Sequence, residues 1–261
     1  MNLIGGCFSH SISSDDGENK YVEWVKNTHT EPVSFYVDHS VMLKPNPNYE
    51  NYAWLCESRT INPTIYQWCI DNIETLKENF INVFTHDYER SKLSNIFVLT
   101  QCSVRPRIYS ELKIFDKSKL VSMVASNKVM CKEHQYRQQM IEKFRHKCDH
   151  FGRGYNNIPH VIDGLKDYCF SIAMENATYP NMITEKLTNC FATGTIPIYY
   201  GIKNIGDFFN SDGIITLNDN FEIESLSYDS YYSKMLAIEE NFKLATELLS
   251  AEDYIYLNFI K

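Results

Sequence analysis

At 261 residues the chain is long enough for two domains of about 120–130 residues each. Its formal net charge of −8 argues against a nucleic acid or an anionic membrane surface as the main partner, and 44% hydrophobic residues are enough for two cores. No run of 18 apolar residues occurs, so no membrane-spanning helix is expected, and Met1–His10 lacks the basic start and apolar stretch of a secretory leader.

Residues 1–118 read as a first α/β domain. Asn2–Ser9 predicts an opening strand, followed by a polar loop over Ser13–Asn19. Val33–Asp38 and Tyr52–Cys56 are the next strands, separated by the turn-rich Pro45–Asn48. Ile65–Asn79 predicts one helix. Ile81–Thr85 and Ile96–Thr100 complete the strands. Polar residues follow several strand ends: Glu57, Ser58 and Arg59 after one, His86 and Asp87 after another. In open α/β sheets such ends face the ligand. Glu57 is equally read as a strand-end carboxylate paired with Arg59 or with solvent, and His86 as a hydrogen-bonded loop residue.

Residues 119–261 read as a second α/β domain. Leu120–Ala125 predicts a buried strand, closed by Ser126 and Asn127. Lys132–Lys147 predicts a helix with a thin apolar stripe of Tyr136, Met140, Ile141 and Phe144. Arg137 lies one position from that stripe; taken alone it is a surface residue. Asp149-His150-Phe151-Gly152 follows. Tyr168–Met174 is an apolar run that stops abruptly at Glu175 and Asn176, then a loop holds Pro180 and Asn181. Thr184 is the predicted N-cap of a helix carrying Leu187, Cys190 and Phe191, which Gly194 ends. Thr195–Tyr200 is a further strand, and Ile214–Leu217 is a later apolar segment. Tyr231–Leu249 predicts a core helix whose wide apolar side includes Leu236, Ile238 and Leu244.

A strand–loop–helix–strand order favours a parallel sheet. At the Thr184 helix start, free N–H groups and Lys186 suit a phosphate, while Glu185 suits hydroxyl donors. Together they suggest a phosphorylated, hydroxyl-rich ligand, a sugar nucleotide. Glu185 and Lys186 are otherwise read as exposed first-turn charges. Eight cysteines stand singly, without a Cys-x-x-Cys, and read as reduced, buried residues of a cytosolic protein. His146, Cys148 and His150 lack the spacing of a closed zinc site, so no metal is expected.

Over about 34 residues the strings Met174-Glu175-Asn176, Thr184-Glu185-Lys186 and Gly194-Thr195-Ile196-Pro197-Ile198 with Gly201 resemble the donor-site signature of glycosyltransferase family ten, the α1,3/α1,4-fucosyltransferases. That signature runs Phe-Glu-Asn-Ser, a spacer, Tyr-Val-Thr-Glu-Lys, then Gly-Thr-Val-Pro-Val and a closing Gly. The resemblance implies a GT-B fold of two Rossmann-like domains. It also implies GDP-fucose as donor, a glycan as acceptor, inversion at the anomeric carbon, and no bound metal or cofactor. Asn127, Arg137, Glu175, Asn176, Thr184, Glu185 and Lys186 become the expected donor contacts, with Arg137 and Lys186 on the diphosphate. Cys56-Glu57-Ser58 is the best local match to the family's general base; Asp87 and His86 are the other candidates. Met182 stands where the family has an aromatic residue, which leaves room for another GDP-sugar. A homologue that keeps the pocket without catalysis is the third reading. Lacking an N-terminal anchor, the chain resembles the compact soluble bacterial or viral forms, and a cytoplasmic location is expected.

Overall fold

A computed structural model describes residues 1–5, 19–100, 105–108 and 112–261. The chain forms two compact units: residues 1–103 with 179–182 and 249–261, and residues 104–178 with 183–248. The division falls at 103/104, not at 118/119, and the last 13 residues join the first unit.

The first unit is built on a six-stranded sheet. Its strands are β1 (Asn2–Gly5), β2 (Val25–Lys26), β3 (Val33–Val37), β4 (Glu50–Leu55), β5 (Val83–Thr85) and β6 (Phe97–Leu99). Their order is β2-β1-β3-β4-β5-β6, with every pairing parallel. Side chains of a strand alternate between faces. Tyr36, Ala53, Leu55 and Val83 pack with Ile65, Cys69 and Leu76 of α1 (Pro63–Asp71) and α2 (Ile73–Asn79), and a short α3 (Tyr88–Ser91) follows β5. On the other face Phe35 stacks on Tyr52 and Phe84, at 5.1 and 5.9 Å. That aromatic face is covered by Ala251 and Ile255, which is why the C-terminus belongs here. The single helix expected over Ile65–Asn79 breaks at Asn72. There the side-chain amide donates to the Trp68 carbonyl at 2.8 Å, competing with helix continuation. Beyond Gly5 the expected opening strand lies outside the described residues, as do most of the polar loop and Cys7 and Cys102.

In the second unit β7 (Lys119–Val124), β8 (Asp149–Phe151), β9 (Tyr168–Met174), β10 (Ile196–Tyr200) and β11 (Ile215–Thr216) are ordered β11-β10-β9-β7-β8, again all parallel. Met140, Ile141 and Phe144 of the helix Lys132–Phe144 pack on Met123, Ile172 and Ile198. Gly152 closes β8 at φ +119°; a Cβ there would stand 2.2 Å from the Ala125 carbonyl oxygen, so only glycine fits. Gly194 ends the helix Glu185–Phe191 at φ +70°, as its position suggested.

The long helix expected over Tyr231–Leu249 is two pieces, Tyr228–Tyr232 and Met235–Thr246. Its buried line is Ala237, Ile238, Asn241 and Ala245, whereas Leu236 is 78% exposed and Leu244 also faces solvent. The expected apolar side was too wide because exposure of leucine carries little information by itself. Ile238→Ala is expected to cost about 2–4 kcal/mol, and Leu236→Ser less than about 0.5 kcal/mol, in urea denaturation. Equal losses would mean the buried face is misassigned. The six described cysteines carry free thiols. Among the described residues no helix is long and apolar enough to cross a membrane.

Candidate functional site

The second unit opens a cavity of about 300 Å³ at the carboxyl ends of β7 and β9. Its apolar lining includes Val124, Ile172 and Met174; its charged lining is Arg137, Arg153, Glu185 and Lys186. Of the expected contacts, Asn127, Glu175, Asn176 and Thr184 do not line it.

Arg137 decides the character of this cavity. It projects from α4 (Lys132–Phe144) and is only 6% exposed, which excludes the surface reading. One Nη donates to the Lys128 carbonyl at 3.0 Å, and the buried Nε has no hydrogen-bond partner. Among the described residues no carboxylate pairs with it. Burial lowers its pKa, an effect the neighbouring Cys131 and Tyr155 oppose. A buried guanidinium without an anion is strongly unfavourable, so the geometry asks for an anionic guest.

Lys186, in the first turn of α5 (Glu185–Phe191), supplies the second cation. Its Nζ lies 3.1 Å from the Thr184 hydroxyl, 3.5 Å from Glu175 and 3.6 Å from Glu185. Glu175 is 1% exposed and serves the architecture. One oxygen accepts the Thr184 N–H at 2.8 Å, the other the Thr184 hydroxyl at 2.7 Å. Thr184 in turn caps α5 by accepting the Lys186 N–H at 3.3 Å. The helix start expected to seat a phosphate is thus satisfied from within, and attraction for an anion falls to Arg137 and Lys186. Burial raises the Glu175 pKa against the pull of Lys186, whereas Glu185 is held below the usual carboxylate range, Lys186 and Arg107 outweighing its burial.

His134 was not singled out by sequence. It sits three residues before Arg137, on one helical face, and that spacing was the available signal. Its Nδ1 accepts the Met130 N–H at 3.1 Å, and its pKa falls to about 4 through burial and then the charges of Arg137, Lys186 and Lys128. A neutral imidazole therefore borders the cation pair. Asn127 is exposed, its backbone N–H donating to the Arg153 carbonyl at 3.0 Å. Asn176 takes the Cys131 thiol on its carbonyl at 3.7 Å.

The expected base, Glu57, belongs to the first unit. It follows β4, half-buried, with its N–H donating to Asp38 at 3.1 Å and its carbonyl accepting the Tyr66 hydroxyl at 2.9 Å. Arg59 pairs with Asp87 at 2.9 Å and Glu89 at 2.6 Å. Asp87 also accepts the Glu89 and Arg90 N–H groups, so its carboxylate is committed to structure. His86 is 1% exposed and bonded through Nε2 to the Tyr179 hydroxyl at 3.0 Å; burial, then the Arg59 charge, push its pKa down to about 4. Arg59 also lies 4.3 Å from the Tyr179 ring centre. Tyr179 belongs to the first unit with residues 180–182, although residues 178 and 183 on either side belong to the second.

The family model for glycosyltransferase family 10 (fucosyltransferase), C-terminal part, matches residues 114–234. That span contains the whole cavity lining. Residues 114–234 are thus similar to the C-terminal part of that family. Its curated relatives include α-(1,3)-fucosyltransferase B of Drosophila melanogaster, 42% identical over 67 residues, covering 24% of this chain and 15% of that protein. The α-(1,3)-fucosyltransferase FucT of Helicobacter pylori is 28% identical over 109 residues, covering 40% of this chain and 22% of that protein. The matches thus span less than a quarter of either relative. Among solved structures, an α1,3-fucosyltransferase with GDP aligns at a TM-score of 0.47 and 15% identity, covering 86% of this chain and 73% of that one. The matched segment holds Arg137, Glu185 and Lys186; Glu57 lies before it.

Proposed function

We propose that the chain is an inverting glycosyltransferase that moves fucose from GDP-fucose to a hydroxyl of a glycan acceptor. The observation carrying this reading is Arg137, a buried guanidinium that no carboxylate among the described residues pairs with, lining the same cavity as Lys186. In this reading the two cations bind the diphosphate and stabilise the charge that grows on it as the glycosidic bond breaks, which is chemistry that elsewhere falls to a metal ion. Arg suits this task because its planar fork meets two phosphate oxygens at once. Glu185, kept ionised by Lys186 and Arg107, accepts hydrogen bonds from ribose or sugar hydroxyls. Glu57 takes the acceptor proton as the hydroxyl attacks.

The test is a transfer assay on purified protein with GDP-fucose and β-galactosyl and N-acetylglucosamine acceptors, with the anomeric configuration of the product read by NMR. Activity that survives chelator and yields inverted product is expected. Loss of turnover on chelation, or undiminished transfer by Glu57→Gln, would overturn the metal-free route and the base respectively. Met182, in place of the family's aromatic residue, favours a second reading in which another GDP-sugar is the donor. Thermal shifts across GDP-sugars separate the two, because the preferred ligand raises the melting temperature most at equal concentration. GDP-sugar binding without transfer to any acceptor would point to a non-catalytic homologue.

A further inference from the structure

Asn189 lines the cavity and is only 3% exposed. It lies on α5, of which Glu185, Lys186, Asn189 and Cys190 all line the cavity. Residues at that spacing share one face of a helix, so Asn189 stands on the face turned to the cavity. Its amide is oriented by a single contact. Asn189 Oδ1 accepts the backbone N–H of Arg107 at 2.6 Å. A backbone N–H only donates, so the oxygen must be the end that meets Arg107, and the –NH2 group is the other end. Among the described residues that –NH2 group donates to no acceptor. A buried donor left unmade is costly, and here the missing partner is an acceptor carried by a guest.

The place of Asn189 in the fold says which part of the guest it meets. α5 connects the parallel strands β9 and β10, so it runs back from the carboxyl edge of the sheet. Asn189 therefore sits one helical turn below Lys186, about 5 Å further from that edge. Contacts through the Thr193 and Thr195 hydroxyls link its carbonyl to that of Leu165. Leu165, with Val161 and Ala173, is apolar lining of the cavity. A diphosphate is costly to bring into such surroundings and is served by the cations nearer the edge. A purine suits them, being flat and apolar on its faces and polar at its rim. A solitary N–H donor there bonds a rim that carries a carbonyl. It is left unpaired, donor against donor, by a rim that carries an amino group.

Resting on the GDP-sugar reading above, we infer that the Asn189 amide N–H donates to the C6 carbonyl of guanine and so selects guanine nucleotides over those of adenine, which carries an amino group at C6.

Calorimetric titration with GDP, inosine diphosphate and ADP tests this. Inosine diphosphate keeps the C6 carbonyl and lacks only the 2-amino group of guanine. The wild type is expected to bind it within about threefold of GDP, and ADP about tenfold or more weaker, the range for a hydrogen bond unmade with its buried donor left unpaired. Asn189→Asp keeps the size and the acceptor for the Arg107 N–H but offers no donor. Its preference for GDP over ADP is expected to fall about tenfold, whatever the added charge costs both nucleotides alike. Should that variant melt far below the wild type, the three titrations of the wild type still decide. Inosine diphosphate as weak as ADP, GDP and ADP bound equally, or an Asp variant with the wild-type preference would overturn the role of Asn189 and leave a nucleotide site standing. No binding of any of the three by the wild type would overturn the nucleotide reading and this inference with it.

Discussion

Arg137→Met is expected to weaken GDP binding by about 100-fold while raising the melting temperature of the free protein. The two effects have one cause. The guanidinium is buried, its Nε lacks a partner, and among the described residues no carboxylate offsets its charge. Replacing such a group by an apolar side chain of similar length removes a desolvation cost, and about 1 kcal/mol regained corresponds to roughly 2–4 °C in a protein of this size. A charge-assisted hydrogen bond contributes about 1.5–3 kcal/mol, and a bidentate contact to phosphate makes two. Calorimetry with GDP and a thermal melt without ligand measure both. A variant that melts lower and binds GDP unchanged would show Arg137 to be structural and would remove the main support for a diphosphate in this cavity. If transfer is also measured, it should fall further than binding, because the charge on the leaving diphosphate grows in the transition state.

Between pH 6.5 and 4 the folded state is expected to lose several kcal/mol. His86 and His134 are both pushed down to about 4, against an ordinary value near 6.5 in the unfolded chain. In that window the unfolded state binds protons that the folded state refuses, so stability rises with pH and falls on acidification. Each shift is worth up to about 3 kcal/mol, a large share of a typical total of about 5–15 kcal/mol. Glu185, held low when folded, adds loss in the same direction at the acid end. Glu175, raised by burial, works the other way, since its protonation on acidification is easier in the folded state. Urea midpoints at pH 7, 5.5 and 4.5 check the slope, and His86→Gln, neutral throughout, should flatten it. An unchanged wild-type midpoint across that range would sink the argument. An anion in the cavity should shift the His134 contribution alone, because that imidazole is lowered by the very cations an anion would neutralise.

The strands were legible because their signal is local. Tyr168–Met174 is the strand with the bounds its apolar run predicts, and Gly152 and Gly194 stand where the backbone takes a positive φ. The Thr184 cap was legible too, since side-chain oxygen and first-turn N–H are neighbours in sequence. The fate of the charges was not. Glu57, Asp87, Glu175 and Arg137 look alike as polar residues near strand ends or on helices. Asp87 is consumed by Arg59, 28 residues away, and Glu175 by Thr184 across a loop. The helix Tyr228–Tyr232 begins before its expected start because Ser227 and Ser230 form a capping box there, a signal readable in advance.

By itself the sequence determined two parallel α/β units, the edge at which a ligand would sit, and the stretch that carries the family 10 signature, since side-chain periodicity, turn chemistry and motif spacing are properties of neighbouring residues. Only the tertiary structure decided that Arg137 is buried with no carboxylate paired to it among the described residues, that Glu175 is spent on holding a helix, and that residues 179–182 and 249–261 join the first unit. Burial and pairing arise from contacts across long sequence separations, and the free energy of a charge depends on those contacts far more than on its place in the chain.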